Sequence, residues 1–178
     1  MIDHGFIRVL LDECRNNQNK LLHLNGLELT ELPEEISEFT WLNGLSCNNN
    51  LISDIGLLSN MTNLISLSFN GNLVTDLSPL FKLTRLKMLW FGNNKVVDIS
   101  PIKELNKLCG LFCFNNQIVD IEPMISLPML EQLTIHSNPI SNLNLLDKLT
   151  PQLNQLCVRK GQILFPSKHK HITFGDAR

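Results

Sequence analysis

The chain has 178 residues, 43% of them hydrophobic, with a formal net charge of −2. That length lets one domain bury a core without disulfide or metal staples, and the near-neutral charge gives no electrostatic reason to expect nucleic acid or an anionic membrane as partner. Five scattered cysteines fit reduced thiols in a cytosol better than a disulfide framework.

The amino-terminal stretch MIDHGFIRVLL has too short an apolar run, and acidic residues too early, for a secretory signal. Nowhere do about 18 apolar residues run together as a spanning helix needs. The expected location is cytoplasmic, with export by a route that uses no cleaved signal as the alternative. Phe6, Val9, Leu10 and Cys14 recur at helical spacing with Arg8, Asp12, Glu13 and Arg15 between them. This spacing predicts an amphipathic capping helix from Asp3 to about Asn16, with Asp3 as its N-cap.

From Leu42 onward the sequence repeats. Leu42, Leu64, Leu86, Leu108 and Leu130 stand a constant 22 residues apart, as do Leu45, Leu67, Leu89, Leu111 and Leu133. The same step relates Cys47, Phe69, Phe91, Cys113 and Ile135, then Asn50, Asn72, Asn94, Asn116 and Asn138. Two further apolar columns run from Ile52 to Ile140 and from Ile55 to Leu143.

This pattern, L-x-x-L-x-L-x-x-N-x-(I/V/L)-x-x-(I/L), resembles the leucine-rich repeat, and the turn after it is similar to internalin repeats. The second resemblance rests on DLSPL at Asp76 to Leu80, DISPI at Asp98 to Ile102 and DIEPM at Asp120 to Met124, with MTNL at Met61 to Leu64. Leu22 to Ile36, LHLNGLELTELPEEI, resembles a repeat of the LPxxI kind, with Leu27 in the asparagine column. Leu153, Leu156 and Val158 begin one more strand a residue late, after an insertion around Pro151. The expected organisation is a single domain, 1–178, with a helical cap at 1–20, repeats over 21–162 and a carboxy-terminal cap at 163–178. The resemblance implies a right-handed horseshoe solenoid, with a parallel β-sheet on the concave face and short 3-10 or extended segments on the convex side. It also implies a bacterial origin and recognition of a protein surface. Internalins carry a signal peptide and a surface anchor, and neither is legible here.

Most columns have structural work. The leucines and the Cys/Phe/Ile column stack a core that no single repeat could bury. Each inward asparagine can donate to carbonyls of the neighbouring coil and accept from an amide. Asp54, Asp76, Asp98 and Asp120 read as turn residues bonding nearby amides, since the dense oxygen spacing of a calcium loop is missing. Pro79, Pro101 and Pro123 suit the start of a convex helical turn.

Subtracting these leaves the strand positions that face water, beside each second core leucine. They read Gly44, Ser46 and Asn48; Ser66, Ser68 and Asn70; Met88, Trp90 and Gly92; Gly110, Phe112 and Phe114; Gln132, Thr134 and His136; Gln155, Cys157 and Arg159. The middle rungs are apolar and the rest polar. Trp90 and Phe112 share a column on adjacent rungs about 4.8 Å apart, so they are expected in contact. Aromatic side chains can bury roughly 150 to 250 Å² each, enough to make a binding patch. Met88, Trp90, Phe112 and Phe114, with Gln132, Thr134, His136, Gln155 and Arg159 around them, are the candidate partner-binding residues. The competing expectation is that the rings only pack on one another.

Other chemistry is weakly supported. Cys109 and Cys113 lack a second ligand pair at zinc spacing, and His169 and His171 with His136 make a poor metal site. Nothing supplies a base beside Cys157. The basic end, Arg159, Lys160, Lys168, Lys170 and Arg178 against Asp176, suits a solvated cap or a surface that steers an acidic partner. No phosphate loop, nucleophile elbow or HExxH is present, so no catalytic residue, cofactor or metal is expected. The expectation is a non-catalytic module that binds another protein, as a monomer or in a heteromeric complex, without nucleic acid or membrane. Its first form is a bacterial inhibitor or immunity protein occluding a toxin. The alternatives are a translocated effector that binds a host protein and a self-associating solenoid.

Overall fold

In the computed structural model, residues 4–149, 153 and 155–158 are described. An amino-terminal helix α1, His4–Asn17, is followed by seven three-residue strands: β1 Leu21–His23, β2 Gly44–Ser46, β3 Ser66–Ser68, β4 Met88–Trp90, β5 Gly110–Phe112, β6 Gln132–Thr134 and β7 Gln155–Cys157. They form one parallel sheet in sequential order. The molecule is a leucine-rich-repeat horseshoe, with the sheet on its concave face and 3-10 turns on its convex side.

The 22-residue columns become the strand register. Leu45, Leu67, Leu89, Leu111 and Leu133 lie side by side at the centres of β2 to β6. All are buried, as are the first leucine column and the Cys/Phe/Ile column. Phe69 and Phe91 stack inside the core with centroids 5.8 Å apart. At both ends the period lengthens by one: Leu22 pairs with Leu45 and Leu133 with Leu156, so the late start of the last strand keeps its leucine in the inward column.

The asparagine column is a buried ladder. Asn94 donates to the carbonyls of Phe69, Phe91 and Gly92 and accepts from the Val74 amide, all at 3.0–3.2 Å. Asn72, Asn116 and Asn138 make the equivalent bonds. Asn50 also serves the first coil, accepting from the amides of Leu27 and Leu29, because Leu27 stands in that coil's place in the asparagine column. No buried side-chain nitrogen or oxygen among the described residues lacks a partner. The residue before each ladder asparagine turns left-handed: Asn49, Gly71, Asn93, Asn115 and Ser137 have φ of 51–66°. Asparagine tolerates that conformation and glycine adopts it freely.

On the convex side, Asp54, Asp76, Asp98 and Asp120 each accept from the amide two residues on, at 2.7–2.8 Å. These are the turns expected of the acidic column. Pro79, Pro101 and Pro123 enter the first turn of the 3-10 segments Ser78–Leu80, Ser100–Glu104 and Glu122–Ser126.

The capping helix corrects one expectation. Ile7, Leu11 and Cys14 are the buried face, whereas Phe6 and Val9 are about half exposed. Both sets have helical spacing, and the choice between them is made by docking on the first repeat. Arg15 reaches Glu38 at 3.2 Å and lies over the Phe39 ring, fixing the helix to the coil beneath. The expected N-cap Asp3, the insertion around Pro151 and the carboxy-terminal cap lie outside the described residues. Among the described residues, no helix is long and apolar enough to cross a membrane.

Candidate functional site

The concave face has two chemically different halves. On the rungs of β1 to β3 the outward asparagines bond to Ser46, Ser68 and one another's backbone. The Asn25 side-chain oxygen accepts from the Ser46 hydroxyl and from the Asn48 amide at 2.7 Å. Asn48 repeats this with the Ser68 hydroxyl at 2.6 Å and the Asn70 amide at 2.7 Å, while its own NH2 donates back to Ser46. Asn70 accepts from the Gly92 amide at 2.6 Å. A second asparagine ladder therefore runs across the first half of the open face, and it stops at Gly92, which has no side chain to continue it.

Beyond that stop the face is aromatic. Register places Trp90 beside Phe112, and their rings stack at 5.3 Å with planes 10° apart. The Phe114 ring lies over Gly92, where a Cβ would overlap it. Met88 lies in the same way over Gly110, its terminal carbon 2.6 Å from where a Cβ would stand. Each glycine is a slot that lets a large side chain of the adjacent rung lie flat. Phe114 also stacks on His136, with centroids 5.1 Å apart, and His136 Nδ1 is 3.3 Å from the Ser137 hydroxyl. Met88, Trp90, Phe112 and Phe114 thus form an aromatic and apolar plate on β4 and β5, with His136 stacked at its edge. All five are half-buried, so the plate keeps an exposed side.

Of the other candidate residues, Gln132 and Thr134 are half-buried on β6, adjoining Gly110 and Phe112. Gln155 is exposed on β7 beside Gln132. Arg159, the basic end, His169 and His171 lie outside the described residues. Sequence reasoning began its rungs at Gly44 and so missed Leu21, His23 and Asn25 on the first coil. It also took the polar rungs as simply facing water. The recurrence of Asn25, Asn48 and Asn70 one per coil, with Ser46 and Ser68 two residues before the second and third, was the available signal.

The cysteines divide by burial. Burial pushes the Cys47 thiol up to about 12 and also raises Cys113, which keeps both protonated and unreactive. Cys109 and Cys157 are half-buried, and Cys109 points its thiol at the Lys107 carbonyl. Among the described residues no three His, Cys, Asp or Glu side chains gather as a metal site requires.

Comparison with known proteins agrees with this architecture. A family model described as leucine-rich repeats (2 copies) matches residues 62–104. Among solved structures, internalin C2 of Listeria monocytogenes is 33% identical with a TM-score of 0.74, over 78% of this chain and 60% of that one. Another Listeria monocytogenes internalin is 29% identical with a TM-score of 0.81, over 94% of this chain and 50% of that one. A leucine-rich-repeat protein of Leptospira interrogans is 29% identical with a TM-score of 0.67, over 75% of this chain and 35% of that one. No curated protein sequence matches the chain. The chain is a bacterial leucine-rich-repeat protein with internalin-like repeats, and it spans between about a third and three-fifths of the length of these structures. Its fold is that of a protein–protein interaction module.

Proposed function

We propose that the chain is a non-catalytic binder that holds one partner protein against the plate of Met88, Trp90, Phe112 and Phe114. The observation that carries this reading is the stacked Trp90 and Phe112 pair, half-exposed at the middle of the concave sheet. A large apolar patch left open at the centre of a curved face suits a hot spot, because an aromatic side chain loses little rotamer freedom when covered and removes much area from water. Gln132, Thr134, His136 and Gln155 form the polar rim of the proposed contact. In its first form the binder is a cytoplasmic bacterial inhibitor whose partner is a toxin that it occludes; an exported effector holding a host protein is the second form.

The test is an affinity capture from native lysate with wild type beside Trp90→Ala/Phe112→Ala, after a thermal melt has shown the variant folded. A protein retained by wild type and lost by the folded variant is the expected result. The retained protein, toxin or host target, decides between the two forms. Equal retention by both would move the site away from the plate, and concentration-dependent self-association lost in the variant would make the partner a second copy of this chain.

A further inference from the structure

Among the described residues, the strands of the concave face present no carboxylate, ammonium or guanidinium group. From Leu21 on β1 to Cys157 on β7, no described outward strand position holds Asp, Glu, Lys or Arg, although 18% of the chain is charged. The charges near the sheet stand at its edges instead: Lys20, Lys87 and Glu131 precede β1, β4 and β6, and Lys95 follows β4 on the opposite flank. The plate itself crosses the sheet from edge to edge. Met88 over Gly110 fills the first outward column, the Trp90 and Phe112 stack the second, and Phe114 over Gly92 the third. On its two sides lie Ser66, Ser68 and Asn70, and Gln132, Thr134 and His136, all hydrogen-bonding groups without a fixed charge.

A surface of this composition selects its occupant by desolvation. A carboxylate pressed onto the plate would leave water and meet no opposite charge, a loss of several kcal/mol per ion in general, and for an ammonium the attraction of a ring face, about 2 kcal/mol when desolvated, is smaller than that loss. An apolar side chain would lose nothing there, and a neutral amide or hydroxyl would find partners among the flanking Ser, Asn, Gln and Thr groups. We infer, resting on the proposed function, that the partner presents to this face a polypeptide segment of apolar and neutral polar side chains with no charged residue in the contact. Association is then unsteered by the sheet and nearly independent of salt.

The probe is a displayed library of random peptides, selected on immobilised wild-type protein and counter-selected on Trp90→Ala/Phe112→Ala. Met88→Lys serves as the second counter-selection if the double variant melts early. Enriched peptides are expected to be depleted in Asp, Glu, Lys and Arg relative to the unselected library. Resynthesised, they should bind with a Kd that changes less than about twofold between roughly 50 and 500 mM NaCl. Gln132→Glu and Gln132→Lys should each weaken them, by about tenfold, because a charge of either sign is then buried unpaired.

Enrichment of acidic or basic peptides that still depend on Trp90 and Phe112, a steep salt dependence, or tighter binding with one of the two Gln132 variants would overturn the inference and leave the binding site standing. Peptides that bind wild type and both counter-selection variants alike, or a library yielding no dependent clone, would count against the site and the inference together. An immobilised panel of neutral oligosaccharides covers the other chemistry such a face accepts. Retention of a glycan in place of any peptide, lost in the double variant, would overturn the assignment to a polypeptide.

Discussion

The first and second halves of the concave sheet are built from the same three outward positions per rung and end in opposite states. On the rungs of β1 to β3, the side-chain oxygens of Asn25, Asn48 and Asn70 accept from amides of the next rung, and those of Asn25 and Asn48 from serine hydroxyls as well. On β4 to β6, Trp90, Phe112 and Phe114 satisfy no backbone group and lie flat on neighbours and glycine slots. Side chains whose hydrogen bonds are used within the sheet support the fold, whereas side chains that keep an apolar side open are available to a partner. Removing a residue from the first half should therefore lower stability with little effect on binding, and removing one from the second should do the reverse.

The sharpest internal standard for that contrast is the buried ladder, which no partner can reach. Asn94→Ala strips the bonds to Phe69, Phe91, Gly92 and Val74, and urea unfolding should show a loss of about 4 kcal/mol, since buried polar groups left unpaired cost about 1–3 kcal/mol each. Next comes the plate. Trp90→Ala/Phe112→Ala should weaken partner binding by about 3 kcal/mol, more than a hundredfold, while unfolding free energy changes by less than about 1.5 kcal/mol. A larger stability loss than binding loss would break the comparison.

Asn48→Ala should cost about 1.5 kcal/mol in the same unfolding experiment and leave affinity within about twofold. Gly92→Ala pushes a methyl into the Phe114 ring. A shift of that ring should cost about 1 kcal/mol of stability, and a binding loss accompanying it would show that the flat-lying ring is part of the contact. The smallest effect concerns a convex turn. The Ser78 amide, with the Ser78 hydroxyl, holds the Asp76 carboxyl below its ordinary 3.8, so the folded state takes up that proton less readily than the unfolded chain. Its stabilisation is present above about pH 3.8 and disappears as pH falls through the lower folded value. Asp76→Asn keeps an acceptor for the turn and should flatten the acid limb of the stability curve slightly, read by unfolding midpoints from neutral to acid pH.

Much of this was legible in the sequence because a solenoid writes each structural role at a fixed period. The leucine columns, the inward asparagines and the acidic turns could be assigned from spacing alone, since each does a job that one residue type fits. The contact of Trp90 with Phe112 followed from parallel register and rung spacing. What spacing could not carry were matters decided between coils. Two apolar stripes compete along α1, and only docking selects Ile7 and Leu11 over Phe6 and Val9. The outer asparagine ladder depends on how closely a side-chain oxygen approaches the next rung's amide. The flat pose of Phe114 depends on a glycine 22 residues earlier having nothing to displace it.

The most direct test of the division between the two halves is one quantitative capture of the partner by wild type, Trp90→Ala/Phe112→Ala and Asn48→Ala/Asn70→Ala, normalised to folded protein. The account predicts that the aromatic double variant loses the partner while the asparagine variant, though less stable, retains it at wild-type level. Retention by the aromatic variant, or loss by a folded asparagine variant, would contradict it.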